Sequence, residues 1–173
     1  MTNYKLLLKD INTFIFDYDG VLSDGSIITL DDGEAYRTTN VKDGYALQLA
    51  VKKGYRVAVI SGAKADCMMN RLKSLQITDI FLGVENKMAV FNTYLEDNGI
   101  KTEQVLFMGD DIPDFEVMLK AGISTCPADA VEEIRKIANY ISHAPGGKGC
   151  VRDVIEQVLK IQGKWMNDDG YHW

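Results

Sequence analysis

Thr13-Phe-Ile-Phe-Asp-Tyr-Asp-Gly-Val21 runs from a short apolar strand straight into two carboxylates spaced one residue apart. Side chains alternate faces along an extended strand, so Asp17 and Asp19 leave on the same side while the strand lasts, and Gly20 frees the backbone to bend around whatever they hold. Two acids converging at the carboxyl end of a strand suit a hard cation and a phosphate. The same spacing also fits a strand whose second Asp merely opens a turn, so the rest of the chain must decide.

At 173 residues the chain is long enough for one domain with a full core and too short for two of ordinary size. Residues 1–163 are read as that single domain and residues 164–173 as a C-terminal tail. A net charge of -6 argues against nucleic acid as the main partner, because binding a phosphate backbone needs a basic footprint. Small-molecule chemistry is favoured. Cys67, Cys126 and Cys150 are odd in number and lack Cys-x-x-Cys spacing, so they read as reduced thiols rather than a disulfide framework or a zinc site. No apolar run approaches the roughly 20 residues of a membrane span, and a cytoplasmic location is expected.

Working outward from the first strand, Ser26-Ile-Ile-Thr-Leu30 and Glu34-Ala-Tyr-Arg-Thr-Thr39 flank Asp31-Asp-Gly33, which is hairpin chemistry: two β-prone runs around a turn that accepts positive φ at Gly33. An inserted β-flap over about 20–40 is expected. Apolar residues then recur at helical spacing over 42–53, ending at Gly54. Tyr55 to Ser61 reads as a buried strand, 64–75 as a helix, 80–82 as a short strand and 87–97 as a helix. Gln104 to Met108 is another buried strand, followed by a helix to about Lys120, and the final helix is Cys150 to Ile161. Such alternation calls for right-handed βαβ crossovers. The fold is α/β, a three-layer Rossmann-like parallel sheet with an inserted β-hairpin flap and no large cap domain. Ligands of such sheets sit at the carboxyl ends of the strands, where Asp17 and Asp19, Ser61 and Gly62, and Asp110 and Asp111 fall.

Gly109-Asp-Asp-Ile-Pro-Asp114 sets three carboxylates just past a strand. Alone it reads as a turn and a helix cap, with Asp111 capping and Pro113 early in the helix. Beside Asp17 and Asp19 the acids would repel unless a cation joined them, and oxygen ligands grouped this way suit Mg²⁺. Ser61 and Gly62 offer a hydroxyl and backbone N–H groups to a phosphate oxygen, or an ordinary cap. Lys87 stands at a helix start, where a cation is mildly unfavourable and a partner outside the helix is indicated.

The ordered set Asp17-Tyr-Asp-Gly-Val, Ile60-Ser-Gly, Lys87 and Gly109-Asp-Asp-Ile-Pro-Asp resembles the four motifs of haloacid-dehalogenase-type phosphotransferases across essentially the whole chain. The resemblance implies that Asp17 is a nucleophile forming an aspartyl-phosphate and that Asp19 is the general acid and later the base. It implies Mg²⁺ held by the Asp17 carboxylate, the Asp19 main-chain carbonyl and the Asp110 carboxylate, with Ser61 and Lys87 on the phosphoryl oxygens. Asp111 and Asp114 would orient ligand waters or Lys87.

Asp17-Tyr-Asp-Gly-Val-Leu-Ser-Asp-Gly, Thr39-Asn-Val-Lys-Asp-Gly-Tyr-Ala-Leu, Gly109-Asp-Asp-Ile-Pro-Asp and Gly146-Gly-Lys-Gly-Cys-Val-Arg-Asp-Val further resemble the capless branch, the 3-deoxy-D-manno-octulosonate 8-phosphate phosphatases. That likeness implies a homotetramer in which a neighbouring subunit covers the active site, and a product that feeds lipopolysaccharide assembly in a Gram-negative source. The apolar hairpin residues Ile27, Ile28 and Leu30 seek cover independently of it. By the same likeness Asn40 and Asp43 contact the sugar acid, and Lys64 and Arg71 help with its carboxylate or phosphate. Each has a plainer rival: Asp43 as a helix N-cap, Lys64 and Arg71 as a solvated face. Where those enzymes usually carry Arg after Thr-Gly, this chain has Ala63, which removes a bidentate carboxylate fork and keeps open a sialic-acid-type 9-phosphate substrate. The Gly146–Gly149 stretch reads either as a flexible loop or as an element closing a neighbour's site. His143 and His172 read as surface residues, and the tail with Trp165 and Trp173 as docking onto another subunit or disordered. From other classes, a receiver-type phospho-acceptor would place its acceptor on a middle strand, where Ser61-Gly62 stands instead. An idle interaction domain would not need every catalytic position intact.

Overall fold

The computed structural model describes residues 4–31, 33–166 and 171; Asp32, His172 and Trp173 lie outside the described residues, as does most of the tail. In chain order the elements are α1 (Tyr4–Leu7), β1 (Thr13–Phe16), β2 (Ile28–Thr29), β3 (Ala35–Tyr36), α2 (Val41–Lys52), β4 (Arg56–Ser61), α3 (Asp66–Ser74), β5 (Asp79–Leu82), α4 (Lys87–Asn98), β6 (Val105–Met108), α5 (Phe115–Lys120), β7 (Ile123–Cys126), α6 (Glu132–Ile137), β8 (Tyr140–Ile141) and α7 (Cys150–Ile161). Short runs that are apolar on both faces need cover on both faces. They obtain it by aligning into one six-stranded sheet, ordered β5-β4-β1-β6-β7-β8, in which every pairing is parallel.

β1 lies between β4 and β6, with Phe14 opposite Val57 and Leu106 and Phe16 opposite Val59 and Met108. Alternation along β1 divides the core. Phe14 and Phe16 face one layer with Leu47 and Leu49 of α2, Met68 and Leu72 of α3, and Val154 and Val158 of α7. Ile15 faces the other, with Phe91 and Leu95 of α4, Val117 of α5 and Ile134 of α6. This is the three-layer α/β arrangement that the sequence predicts, and no large cap stands among the described residues.

The departures are local. The expected hairpin arms shrink to a two-residue antiparallel ladder, β2 with β3, and Ile28 and Tyr36 within it are exposed. The helix expected over 64–75 begins at Asp66. A 3-10 turn, Ile112–Asp114, precedes α5. The strands β7 and β8 and the short α6 between them are absent from the sequence reading.

Of two caps here, one is local and the other ties distant segments together. Asn40 is the N-cap of α2, accepting from the Lys42 N–H at 2.8 Å. Asp43 is buried and caps another helix: its carboxylate accepts from the N–H groups of Gly149 at 3.1 Å and Arg152 at 2.7 Å, at the start of α7. An acid at a helix N-terminus satisfies orphan donors and faces the positive end of the dipole. The Gly146–Gly149 stretch is therefore tied to the loop that follows β1. Gly147 N–H donates to the Val21 carbonyl at 2.9 Å, Lys148 pairs with Asp24 at 3.0 Å, and a Cβ on Gly146 would stand 2.0 Å from the Gly20 carbonyl oxygen. Only glycine permits so close an approach of two backbones.

Candidate active site

β1 delivers the first acid. Asp17 N–H still pairs with the Met108 carbonyl at 3.0 Å, and then the chain leaves the sheet. The Tyr18 carbonyl accepts from the N–H groups of Leu22 at 2.8 Å and Ser23 at 2.9 Å, folding the loop tightly, while Gly20 takes φ +83°. The carboxylate of Asp110 lies directly against Gly20, so any side chain there would collide with it. β4 ends at the buried Ser61, β6 leads into Asp110, and Lys87 is the first residue of α4, capped by Asn86.

These strand ends surround a cleft of about 310 Å³ whose lining includes Asp17, Asp19, Ser61, Gly62, Ala63, Lys87, Asp110, Asp111 and Asp114. Lys87 Nζ stands 3.0 Å from Asp17 Oδ2 and 2.6 Å from Asp114 Oδ1. Asp114 Oδ2 accepts from the Asp110 N–H at 3.1 Å, so the fully buried Asp114 fixes both a cation and the loop that carries Asp110.

The electrostatics match a site short of positive charge. Burial raises the Asp17 carboxyl to about 6, aided by the Asp114 charge and opposed by Lys87. Burial raises Asp110 further, to about 8, with Asp17, Asp114 and Asp111 adding to it. Burial acts to strip Lys87 of its proton, but Asp17 and Asp114 outweigh it and the net shift is upward. One lysine does not balance this many acids. Asp110 Oδ1 is buried with no hydrogen-bond partner, and ligand atoms of Asp17, Asp110 and Asp114 lie within 4.8 Å of one another. An unpaired buried carboxylate oxygen among other acids is what a divalent cation with oxygen ligands would repair. Asp114, already committed to Lys87, is better placed beside such a cation than on it.

Several expected residues stand elsewhere. Asp111 accepts from the Ile112 N–H at 2.7 Å as the N-cap of the 3-10 turn; of these two acids it is Asp114 that pairs with Lys87. Asp43 has both oxygens engaged by the start of α7, and Asn40, not Asp43, caps α2. Asn40, Asp43 and Arg71 line a separate narrow crevice with Tyr18 and Leu22, and the Arg71 Nε there is buried without a partner. Lys64 packs along Gly83 and lines a cavity with Asp66, outside the acidic cleft.

One contact has no forerunner in the sequence reading. Arg37, just past β3 in the flap, donates its Nε–H to Asp19 Oδ1 at 2.8 Å and Oδ2 at 3.0 Å. Ser23 Oγ donates to the same Oδ1 at 2.9 Å. A single arginine in a β-prone run carries no local signal of such a partner.

Comparison with known proteins places the chain among phosphatases of one family. A model of the haloacid dehalogenase-like hydrolases matches residues 39–128. The 3-deoxy-D-manno-octulosonate 8-phosphate phosphatase KdsC of Salmonella typhi is 40% identical over 163 residues, 94% of this chain and 87% of that protein. KdsC of Escherichia coli K12 is 40% identical over 156 residues, 90% of this chain and 83% of its own length. Among solved structures, the phosphatase of the same name from Yersinia pestis superposes with a TM-score of 0.92 at 33% identity, covering 94% of this chain and 88% of that one. The Moraxella catarrhalis protein, in complex with magnesium ion, phosphate ion and a KDO molecule, superposes with a TM-score of 0.91 at 32% identity, covering 94% of each chain.

Proposed function

The chain belongs to the haloacid dehalogenase-like hydrolases, and we propose that it is a Mg²⁺-dependent phosphatase converting 3-deoxy-D-manno-octulosonate 8-phosphate to 3-deoxy-D-manno-octulosonate and phosphate. The observation that carries the chemistry is that Asp17 and Asp110 face one cleft, Lys87 standing 3.0 Å from Asp17 and Asp110 Oδ1 buried without a partner. The substrate is supported by relatives of that name at 40% identity along most of the chain and by a structural neighbour holding magnesium, phosphate and KDO.

Asp17 and Asp110, with the Asp19 main-chain carbonyl, would hold the cation, whose bound charge neutralises the acids and polarises the phosphoryl oxygens. Asp17 supplies the nucleophile: one carboxylate oxygen forms a bond to phosphorus as the ester P–O bond breaks, and Asp19 gives the departing sugar oxygen its proton. Asp19 then takes a proton from water, which attacks phosphorus and releases phosphate and the Asp17 carboxylate. Splitting one displacement into two lowers each barrier. Ser61 and Gly62 at the end of β4 and Lys87 at the start of α4 grip the phosphoryl oxygens, donors fixed before charge develops. Asp114 keeps Lys87 aimed at that position.

Residues 1–163 act as the catalytic unit. The exposed flap residues Ile27, Ile28, Leu30 and Tyr36 support assembly with further copies, a homotetramer whose neighbouring subunit covers the open cleft. Among the described residues no helix is long and apolar enough to cross a membrane, in keeping with a cytoplasmic enzyme. Ala63 in the cleft lining favours one second reading, a nine-carbon sialic-acid-type 9-phosphate substrate, because no arginine fork stands there.

Phosphate release from a panel of eight- and nine-carbon keto-sugar phosphates with Mg²⁺ tests both readings, with Asp17→Asn as the control. Preference for the octulosonate ester and loss of activity in the variant are expected. Activity surviving in Asp17→Asn would overturn the covalent route, and preference for a nine-carbon ester would overturn the substrate.

A further inference from the structure

Asp19 is unlike its partner Asp17 in how it is held. Asp17 is gripped by the body of the enzyme, through Lys87 and the Tyr18 N–H. Asp19 is gripped by the flap. The Arg37 side chain is only 6% exposed and that of Asp19 26%, so the guanidinium is largely withdrawn from water. Its Nε–H is shared between both Asp19 oxygens, while Nη1 donates to the Ala35 carbonyl at 2.9 Å, which fixes the fork to β3. Ser23 Oγ adds a second donor on Oδ1 and itself accepts from the Gly25 N–H at 3.3 Å. Two donors therefore converge on Oδ1, from the loop after β1 and from the flap, and set the plane of the carboxylate. A charged donor holds that plane more firmly than a hydroxyl alone.

We propose that Arg37 is the positioning residue of Asp19: the flap arginine sets the orientation from which Asp19 reaches the leaving oxygen. The claim rests on the phosphatase reading above, in which Asp19 protonates that oxygen. Removing Arg37 leaves Asp17, Lys87 and Asp110 without a lost contact, so phosphoryl transfer to Asp17 should survive wherever the leaving group needs no proton. A nitrophenolate departs unprotonated, whereas a sugar or alkyl oxygen does not.

The test compares kcat/KM, which reports the steps through phosphoryl transfer, for an alkyl phosphate and for p-nitrophenyl phosphate. In Arg37→Ala, kcat/KM for the alkyl ester should fall on the order of 100-fold, within the span of general acid catalysis, and for p-nitrophenyl phosphate by less than about fivefold. Arg37→Lys, which keeps a cation but not the fork, should fall between wild type and Arg37→Ala, and it carries the same comparison if the alanine variant fails to fold. Equal losses on both esters would overturn the proposal, since a merely structural role does not discriminate leaving groups. Asp17→Asn run alongside separates the two claims: dead on both esters, it leaves the phosphatase reading standing whatever Arg37 does.

Discussion

Replacing Asp110 by Asn should make the metal-free protein more stable while abolishing activity. Asp110 carries a buried oxygen with no partner, and burial, followed by the charges of Asp17, Asp114 and Asp111, raises its carboxyl to about 8. In the unfolded chain it titrates near 3.9. With the folded value the higher one, the native state keeps a proton that the unfolded chain gives up. Native stability is therefore full below about pH 4 and declines as pH rises toward 8. At about 1.4 kcal/mol per pH unit, the ceiling at pH 8 is about 5 kcal/mol. Solvent at the cleft mouth and local relaxation lower this, and about 1–3 kcal/mol is expected, equivalent for a chain of this size to roughly 3–10 °C in Tm. Thermal unfolding followed by circular dichroism in chelator would show Asp110→Asn melting above wild type at pH 8, with the gap closing toward pH 4. Saturating Mg²⁺ should invert the order, because only wild type gains the free energy of ligand binding. A variant that melts at or below wild type in chelator at pH 8 would refute the reasoning.

The same acids make cation binding proton-linked. Mg²⁺ affinity measured by isothermal titration should weaken below pH 8, by about tenfold per pH unit as one proton must leave Asp110, and more steeply below about 6 as Asp17 joins it. Asp114→Asn removes the charge 2.6 Å from Lys87 and should lower kcat/KM on the order of 10- to 100-fold in steady-state phosphate release, without loss of Mg²⁺ binding by titration. Gly146→Ala sets a methyl 2.0 Å from the Gly20 carbonyl oxygen; it should cost about 1–3 kcal/mol of stability in denaturant unfolding and depress kcat further than that loss explains, since the displaced backbone carries Asp19.

Much of this architecture was legible in the chain because its signals are local. The β1 run, the acids that follow it, and α7 from Cys150 to Ile161 stand where periodicity and turn residues place them. What escaped is non-local. Ile123-Ser-Thr-Cys126 is half polar and followed by proline, yet β7 is buried because β6 and β8 flank it. Asp43 sits in the first turn of α2 and looks like its cap, but Asn40 fills that role and Asp43 serves α7, more than a hundred residues on. The Arg37 contact with Asp19 depends on how the flap folds back. Neither its short ladder nor its arginine advertises this in sequence.

The glycine loop that braces the nucleophile's segment also sets a clock on synthesis. Residues 17–25 are made well before the segment that supports Gly20, Val21 and Asp24, residues 146–148. At roughly 5–20 residues per second, translation separates the two by on the order of ten seconds. Throughout that interval the nascent polypeptide holds its nucleophile but not the frame that shapes the loop around it, and a translation arrested before Pro145 should release no phosphate. Catalytic competence thus waits on a segment made well after the strand that carries the nucleophile.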